Sequence, residues 1–151
     1  MRTRRTFLGS AAVAVSGVAA GCGGAHRSFR FFTDREARVL DAILAIVIPS
    51  DDAPGAREAG VIHYIDRQLT RRFRDSQKTY RDALAKVSEP VEEKTLLASD
   101  KPFFELVVTH AMQGFYGNPR HGGNRDFASW RMLGIPPVPV RGRDGGRNAK
   151  G

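Results

Sequence analysis

Apolar residues recur at intervals of three and four positions along most of this chain, which is the spacing of one buried helix face. The first stripe follows Thr33 and Glu36, whose separation is that of a capping box, and Pro49 ends it. Its members are Leu40, Ile43, Leu44 and Val47. No segment alternates apolar and polar residues in the manner of a β-strand bounded by turns. We therefore expect an all-α fold whose first helix begins after Thr33.

Further stripes predict a single small domain of about five or six helices. A second helix is expected from Ala56, with Gly60 inside it; a glycine there costs about 1 kcal/mol relative to alanine and indicates the close approach of another backbone or helix. Its apolar face is Val61, Ile62, Ile65 and Leu69, and we expect Arg57, Glu58, Asp66 and Arg67 to face water. A weaker stripe follows at Tyr80, Ala83, Leu84 and Val87. After a short helix through Leu97, the strongest core helix starts near Pro102 and ends at Gly117.

The formal charge of the 151-residue chain is +8, and most of it lies at the two ends. Three arginines fall within the first five residues, and residues 138–151 carry a net charge of +3. The remainder, which includes the predicted domain 33–137, is close to +2. Because this is an ordinary surface without a cationic stripe among aromatic residues, we expect no nucleic-acid partner. We expect residues 138–151 to form a disordered basic tail.

The first 21 residues have the features of an export signal. Arg4 and Arg5 are followed by Phe7 and Leu8, and the uncharged stretch 9–21 is too short to span a bilayer. The paired arginines resemble the twin-arginine export motif, so the twin-arginine translocase is an expected partner; an ordinary secretory signal is the alternative. Because the twin-arginine route carries folded proteins, the chain either holds a cofactor itself or travels with a partner that does.

Cys22 is the only cysteine, so it forms no disulfide within the chain. It follows Ala19-Ala20-Gly21, which resembles the processing site of a bacterial lipoprotein, where the cysteine becomes acylated. Cleavage nearby by the general signal peptidase is the alternative. We expect residues 22–32 to be a flexible linker.

The segment from Phe115 to Pro137 is rich in glycine and proline. Pro119 and the Gly122-Gly123 pair predict a tight loop, and Asn124 is suited to cap a new short helix. Arginine beside aromatic residues is typical of interface anchors. We therefore predict a partner interface made of Pro119, Arg120, His121, Gly122, Gly123, Asn124, Arg125 and Trp130. Packing of Trp130 in the core is the alternative.

No motif in the sequence holds a cofactor. The histidines of the predicted domain, His63, His110 and His121, lack the spacing of metal or haem ligands, and His110 fits a hydrogen-bonded core residue better. The adjacent Asp51 and Asp52 fit a helix cap better than a calcium loop. No dinucleotide-binding or P-loop glycine pattern, and no activated nucleophile, is present. We therefore expect the cofactor in a partner chain.

Several segments, taken in order, are similar to one protein family. They are Ile48-Pro49 with Asp51-Asp52, then 54–61, 64–69, 114–116, 118–125 and 130–136. Together they resemble the gluconate 2-dehydrogenase subunit 3 family over most of residues 33–137. The chain departs from that pattern in a short region between Leu69 and Phe103 and in its basic tail.

The resemblance implies a non-catalytic subunit, periplasmic and membrane-associated, that binds a large flavoprotein of the glucose-methanol-choline type and supplies the export signal for both. FAD would lie in that partner, and haem c in a possible third, cytochrome c subunit. A lipid on Cys22 would tether the complex to the membrane. Two alternatives remain: a free-standing periplasmic lipoprotein adaptor, and a metal-binding enzyme that uses His110 and His121 with Asp126.

Overall fold

The computed structural model describes residues 29–97 and 100–137. Six α-helices follow one another: α1 (Asp34–Val47), α2 (Val61–Leu69), α3 (Gln77–Lys86), α4 (Glu93–Leu97), α5 (Lys101–Tyr116) and α6 (Ala128–Met132). Short 3₁₀ turns occur at Arg74–Ser76, Pro119–His121 and Arg125–Phe127. The part of the chain that is described contains no β-strand, which confirms the all-α prediction. None of its helices is long and apolar enough to cross a membrane.

Helix α2 lies between α1 and α5, and α3 closes the bundle against α1 and α5. The largest fully buried side chains include Leu40, Ile43 and Leu44 of α1, Ile65 and Leu69 of α2, Tyr80 and Leu84 of α3, and Phe103, Val107 and Phe115 of α5. These are the predicted stripes, and only Val47 of the first stripe is partly exposed. Helix α5 approaches α2 closely because Gly114 faces Tyr64; a Cβ at Gly114 would lie 2.9 Å from the tyrosine ring.

The predicted capping box is present at the start of α1. The Thr33 side chain accepts from the Glu36 amide, and the Glu36 carboxylate accepts from the Thr33 amide at 2.8 Å. Arg81 of α3 also binds Glu36, donates to the Phe31 carbonyl at 2.6 Å and lies over the Phe31 ring. Burial acts to raise the pKa of Glu36, but these hydrogen bonds outweigh it and hold the pKa below its ordinary value. The cap therefore also joins α1 to α3.

The segment just before α1 is fixed to the fold by Asp66 of α2. Its carboxylate accepts hydrogen bonds from the backbone amides of Arg30, Phe31 and Phe32, at 2.9, 2.8 and 3.3 Å. The Phe32 side chain is part of the core. The prediction of a flexible linker over 22–32 is therefore wrong for residues 29–32, while residues 22–28 lie outside the described part. Asp66 is 5% exposed rather than facing water, because three amides satisfy its charge.

The region before α2 also differs from the prediction. Residues 56–60 form turns, and α2 begins only at Val61, because Gly60 adopts a left-handed φ of 67° at its N-cap. The close neighbour of Gly60 is the guanidinium of Arg125, not another backbone. Asp51 does not cap the helix; its carboxylate accepts from the Ala53 amide and closes a turn.

Replacing Asp66 by asparagine tests the anchoring of the segment 30–32. An amide side chain cannot accept from all three backbone N–H groups, and it brings its own N–H donors toward them. We expect Asp66→Asn to lower the free energy of unfolding by about 2–4 kcal/mol, measured by urea denaturation. Asp82→Asn is the matched control, since that exposed carboxylate pairs only with Lys78 and should contribute less than about 1 kcal/mol. Equal effects of the two variants would contradict the assigned role of Asp66.

Candidate functional site

The loop that connects α5 to α6 has a defined structure, which the buried side chain of Asn124 stabilises by hydrogen bonds. The Asn124 side chain is 0% exposed, donates to the Gly117 carbonyl at 2.9 Å and accepts from the Ser129 amide at 3.0 Å. The Ser129 hydroxyl donates to the Phe115 carbonyl at 2.6 Å. Asn124 stands at the N-cap of the 3₁₀ turn Arg125–Phe127 but makes no side-chain cap bond there, and the N-cap of α6 is Phe127. Its side chain accepts from the Ser129 amide in the first turn of α6 instead. Because it is fully buried, Asn124 supports the predicted interface from within and does not present its side chain to a partner.

Gly123 is also buried, at the place where the loop touches α5. A Cβ on Gly123 would lie 2.2 Å from the carbonyl oxygen of Gly114, a distance that no side chain tolerates. The neighbouring Gly122 has a φ of 107°, which only glycine adopts readily. The glycine pair thus sets how closely the loop approaches the helices. Gly123, which was predicted to contact a partner, is buried against α5.

The loop backbone is strained immediately after this contact. Asn124, Asp126 and Phe127 all have positive φ angles, of 45°, 53° and 57°. Such a conformation costs about 1 kcal/mol or more for each residue with a side chain, and it is least expected for an aromatic residue. Strain of this kind persists only where the surroundings impose it, and it concentrates at functional sites.

The other predicted interface residues reach the surface at least in part: Pro119, Arg120, His121, Gly122, Arg125 and Trp130. Trp130 is half-buried; its indole N–H donates to the Tyr116 carbonyl at 2.9 Å and its ring packs near Phe127. The backbone amide of Arg125 donates to the Ala59 carbonyl at 2.9 Å, which ties the loop to the start of α2. The loop therefore runs along α2, from Arg67 near the C-terminal end of that helix to Ala59 just before its N-terminal end.

Five large exposed apolar side chains on α5, on α6 and just after α6 were not predicted as interface residues. They are Met112, Tyr116, Met132, Leu133 and Ile135, each between 40% and 54% exposed. One signal in the sequence could have found the first two, because Met112 and Tyr116 are four residues apart on the exposed side of a helix whose other side forms core. We call these five residues together with Trp130 the apolar rim.

The cationic part of the loop is joined to α2. Arg67 of α2 donates to the Arg120 carbonyl at 2.8 Å, and Arg120 donates from Nε to His121 Nε2 at 3.1 Å. Burial lowers the pKa of His121, and the nearby arginines Arg120, Arg67 and Arg71 lower it further. His121 is therefore neutral at pH 7 and accepts a hydrogen bond.

A family comparison supports a subunit function for the fold that carries this loop. Residues 34–97, which extend from α1 through α4, match the family model described as gluconate 2-dehydrogenase subunit 3. Over these residues the chain is similar to the gluconate 2-dehydrogenase subunit 3 family. The first block of resemblance, residues 48–69, lies within the match, whereas the loop and α6 lie beyond it. Comparison with curated proteins and with solved structures gives no match.

The three histidines of the described residues serve separate local roles. His110 is 4% exposed, shares a 3.0 Å hydrogen bond with the Tyr80 hydroxyl and stacks on Phe73 at 3.9 Å, which confirms it as a hydrogen-bonded core residue. His63 stacks on Phe29, and His121 pairs with Arg120. Within residues 29–97 and 100–137, no three histidine, aspartate, glutamate or cysteine side chains come together as metal ligands. The geometry therefore gives no support to a metal site of His110, His121 and Asp126.

Three groups of predicted residues fall outside the described part of the chain. The export residues Arg4, Arg5, Phe7 and Leu8, the lipidation residue Cys22 and the tail 138–151 all do so.

Gly123→Ala tests the contact between the loop and α5. The new methyl group would meet the Gly114 carbonyl, so the loop must move; we expect a loss of about 2–3 kcal/mol in the free energy of unfolding. Gly134→Ala is the control, because an added Cβ would meet nothing within 4 Å. Only the left-handed φ of 67° opposes this substitution, and it should lower the free energy of unfolding by about 1 kcal/mol. Fluorescence of Trp130, the only tryptophan, should report a changed loop in Gly123→Ala alone. Indistinguishable spectra and stabilities would contradict the described contact.

Acid should destabilise the fold through His110. Burial lowers the pKa of His110 to about 4, so between that value and its ordinary value of 6.5 the unfolded state binds more protons than the folded state. The free energy of unfolding should therefore fall as the pH is lowered, by about 2 kcal/mol between pH 7 and pH 5.

Urea denaturation at the two pH values measures this effect. His110→Gln cannot take up the proton and should lose much less stability over the same interval, whereas His121→Gln, which leaves His110 in place, should keep most of the acid sensitivity. A His110→Gln variant as acid-sensitive as the unmodified chain would show that another group is responsible.

Proposed function

We propose that this chain is a non-catalytic small subunit of a periplasmic, membrane-associated, FAD-dependent gluconate or sugar dehydrogenase. The observation that carries the proposal is the match of residues 34–97 to the gluconate 2-dehydrogenase subunit 3 family. In this proposal FAD belongs to a large partner of the glucose-methanol-choline type. Haem c belongs to a possible cytochrome c subunit, and substrate oxidation takes place in the flavoprotein.

The surface around the loop has the properties of a docking site for such a partner. The apolar rim supplies large side chains that can be covered, and Arg120, Arg125 and Arg131 supply cations beside them. Interfaces are enriched in aromatic residues, methionine and arginine, and this is the composition found here. Because the loop is folded in the free chain, binding costs less ordering entropy than a flexible loop would.

The internal polar groups support an accessory role, because they are engaged in holding the fold. Asp66 binds three backbone amides, and His110 binds Tyr80. Burial raises the pKa of Tyr80 far above its ordinary value, so this hydroxyl stays protonated. The sequence also has no dinucleotide-binding glycine pattern. These residues suit a scaffold that a partner recognises.

Purification of the tagged full-length chain from membranes of its native host tests the assignment. The expected result is a complex with a large flavoprotein, identified by mass spectrometry and by flavin absorbance, that oxidises gluconate or a related sugar. Recovery of the chain alone, without a flavin-containing partner, would favour the lipoprotein adaptor. Sugar oxidation by the isolated chain would overturn the non-catalytic role.

We further propose that the chain escorts the flavoprotein through the twin-arginine translocase and that Cys22 is lipidated. Replacing Arg4 and Arg5 together by lysine should then leave both proteins in the cytoplasm, as measured by immunoblotting of periplasmic and cytoplasmic fractions. Arg2→Lys, which preserves the pair, is the control and should be exported normally. Normal export of the flavoprotein beside a retained Arg4→Lys/Arg5→Lys chain would contradict the escort role.

A further inference from the structure

Four arginines and a histidine come together where the end of α2 meets the loop. We call this group the basic corner; it consists of Arg67, Arg71, Arg72, Arg120 and His121. Arg67 binds the Arg120 carbonyl, Arg120 binds His121, and the charges of Arg120, Arg67 and Arg71 all act on His121. Arg72 and His121 line the same cleft. The sequence alone explains Arg71 and Arg72 as a solvated helix end, since it does not show that residues 120 and 121 lie beside them.

The charges of the basic corner are not neutralised by the fold. Three arginines elsewhere form ion pairs: Arg38 with Glu89, Arg57 with Asp41 and Arg81 with Glu36. Arg35 and Arg74 donate to backbone carbonyls instead. No arginine of the basic corner forms an ion pair with any residue of 29–97 or 100–137.

Two comparisons within the chain show the same excess of positive charge at the basic corner. The charges acting on His63 include the carboxylates Asp66 and Asp41, whereas those acting on His121 within the described residues are all cations. On the other side of the loop, Arg125 and Arg131 line a groove that also contains Asp52, Glu58 and Asp126. The basic corner therefore gathers several cations without a nearby carboxylate among the described residues.

A polar cleft of about 310 Å³ opens within the basic corner. Its walls include Tyr64, Gln68, Arg72, Gln113 and His121. The Tyr64 hydroxyl donates to Gln113 at 3.2 Å, so hydroxyl and amide groups lie next to the guanidinium of Arg72. Guanidinium groups bind carboxylates in a planar, two-point geometry, and neighbouring amides can complete the hydrogen bonds of the second oxygen.

We propose that the basic corner docks an acidic segment of the partner flavoprotein and receives an Asp or Glu side chain in this cleft. The inference rests on the proposed function. A protein carboxylate is favoured over other anions because Arg120 and His121 belong both to the basic corner and to the predicted loop interface, which also contains Trp130. This mixture of charge and apolar surface is typical of a protein interface, in which charged side chains at the edge set specificity and association rate.

Charge reversal tests the proposal with the purified full-length chain and the flavoprotein that co-purifies with it. Arg71 and Arg72 are both exposed and support no other described contact, so Arg71→Glu/Arg72→Glu should fold normally, which circular dichroism and the unfolding midpoint would verify. We expect the Kd for the flavoprotein to rise at least tenfold at 50 mM NaCl. The control is Arg38→Glu/Lys86→Glu, which makes the same change of charge on α1 and α3 and should alter the Kd less than twofold. Because it also breaks the exposed Arg38–Glu89 pair, its fold is verified by the same two measurements.

The salt dependence provides a second measurement. Because salt screens exposed charges, raising NaCl from 50 to 300 mM should weaken binding of the unmodified chain and have little further effect on Arg71→Glu/Arg72→Glu. The milder Arg71→Gln/Arg72→Gln variant should give an intermediate Kd. An unchanged Kd in the charge-reversed variant would overturn the proposal while the complex itself, and so the proposed function, would stand.

A membrane surface is the competing occupant, and vesicles distinguish it. If Arg71→Glu/Arg72→Glu releases the chain from phosphatidylglycerol vesicles but leaves the Kd for the flavoprotein unchanged, the corner contacts lipid and the proposal is wrong. If no flavoprotein accompanies even the unmodified chain, the proposed function fails, and the inference about its acidic segment fails with it.

Discussion

The contact at Gly114 is the constraint on which most of the molecule depends. On one side the missing Cβ lets Tyr64 of α2 pack against α5, and on the other the Gly114 carbonyl lies against Gly123 of the loop. Helix α2, helix α5 and the loop therefore meet at one point with no room for a methyl group. Because the approach is so close, the side chains of α2 and the loop come within hydrogen-bonding distance, and Arg67 can reach the carbonyl of Arg120. Core packing at Gly114 thus determines the geometry of the surface charges.

The segment before α1 is held by hydrogen bonds to charged side chains as well as by packing. Asp66 fixes the segment 30–32, and Arg81 fixes the same segment from the other side through the Phe31 carbonyl and ring. The described part of the chain begins at Phe29, which is seven residues after Cys22. Seven extended residues reach about 25 Å at most. If Cys22 carries a lipid as proposed, the body lies within about 25 Å of the membrane surface, which limits how a large partner can approach it.

The sequence predicted local features well and long-range contacts poorly. The capping box at Thr33, the buried stripes and the end of α5 at Gly117 all follow from interactions between residues a few positions apart. Asp66 was expected to face water because helical periodicity cannot show that three amides from before α1 return to it. Asn124 was assigned to the interface for the same reason, since its partners Gly117 and Ser129 become apparent only when the loop is closed. The sequence predicted that this segment forms a tight loop, but it could not separate the residues that hold the loop from those that the loop exposes.

Different residues hold the loop and form its exposed surface, and this difference explains why a strained loop is compatible with a binding role. The positive φ angles of Asn124, Asp126 and Phe127 together cost several kcal/mol by the usual estimate of about 1 kcal/mol or more each. The buried bonds of Asn124 and Ser129 offset that cost during folding, before any partner is present. Ordering the same residues on binding would cost about 1–2 kcal/mol for each backbone position, and this would weaken the complex directly. Because the strain is balanced inside the free subunit, the contacts of the apolar rim and the basic corner can contribute to affinity and specificity.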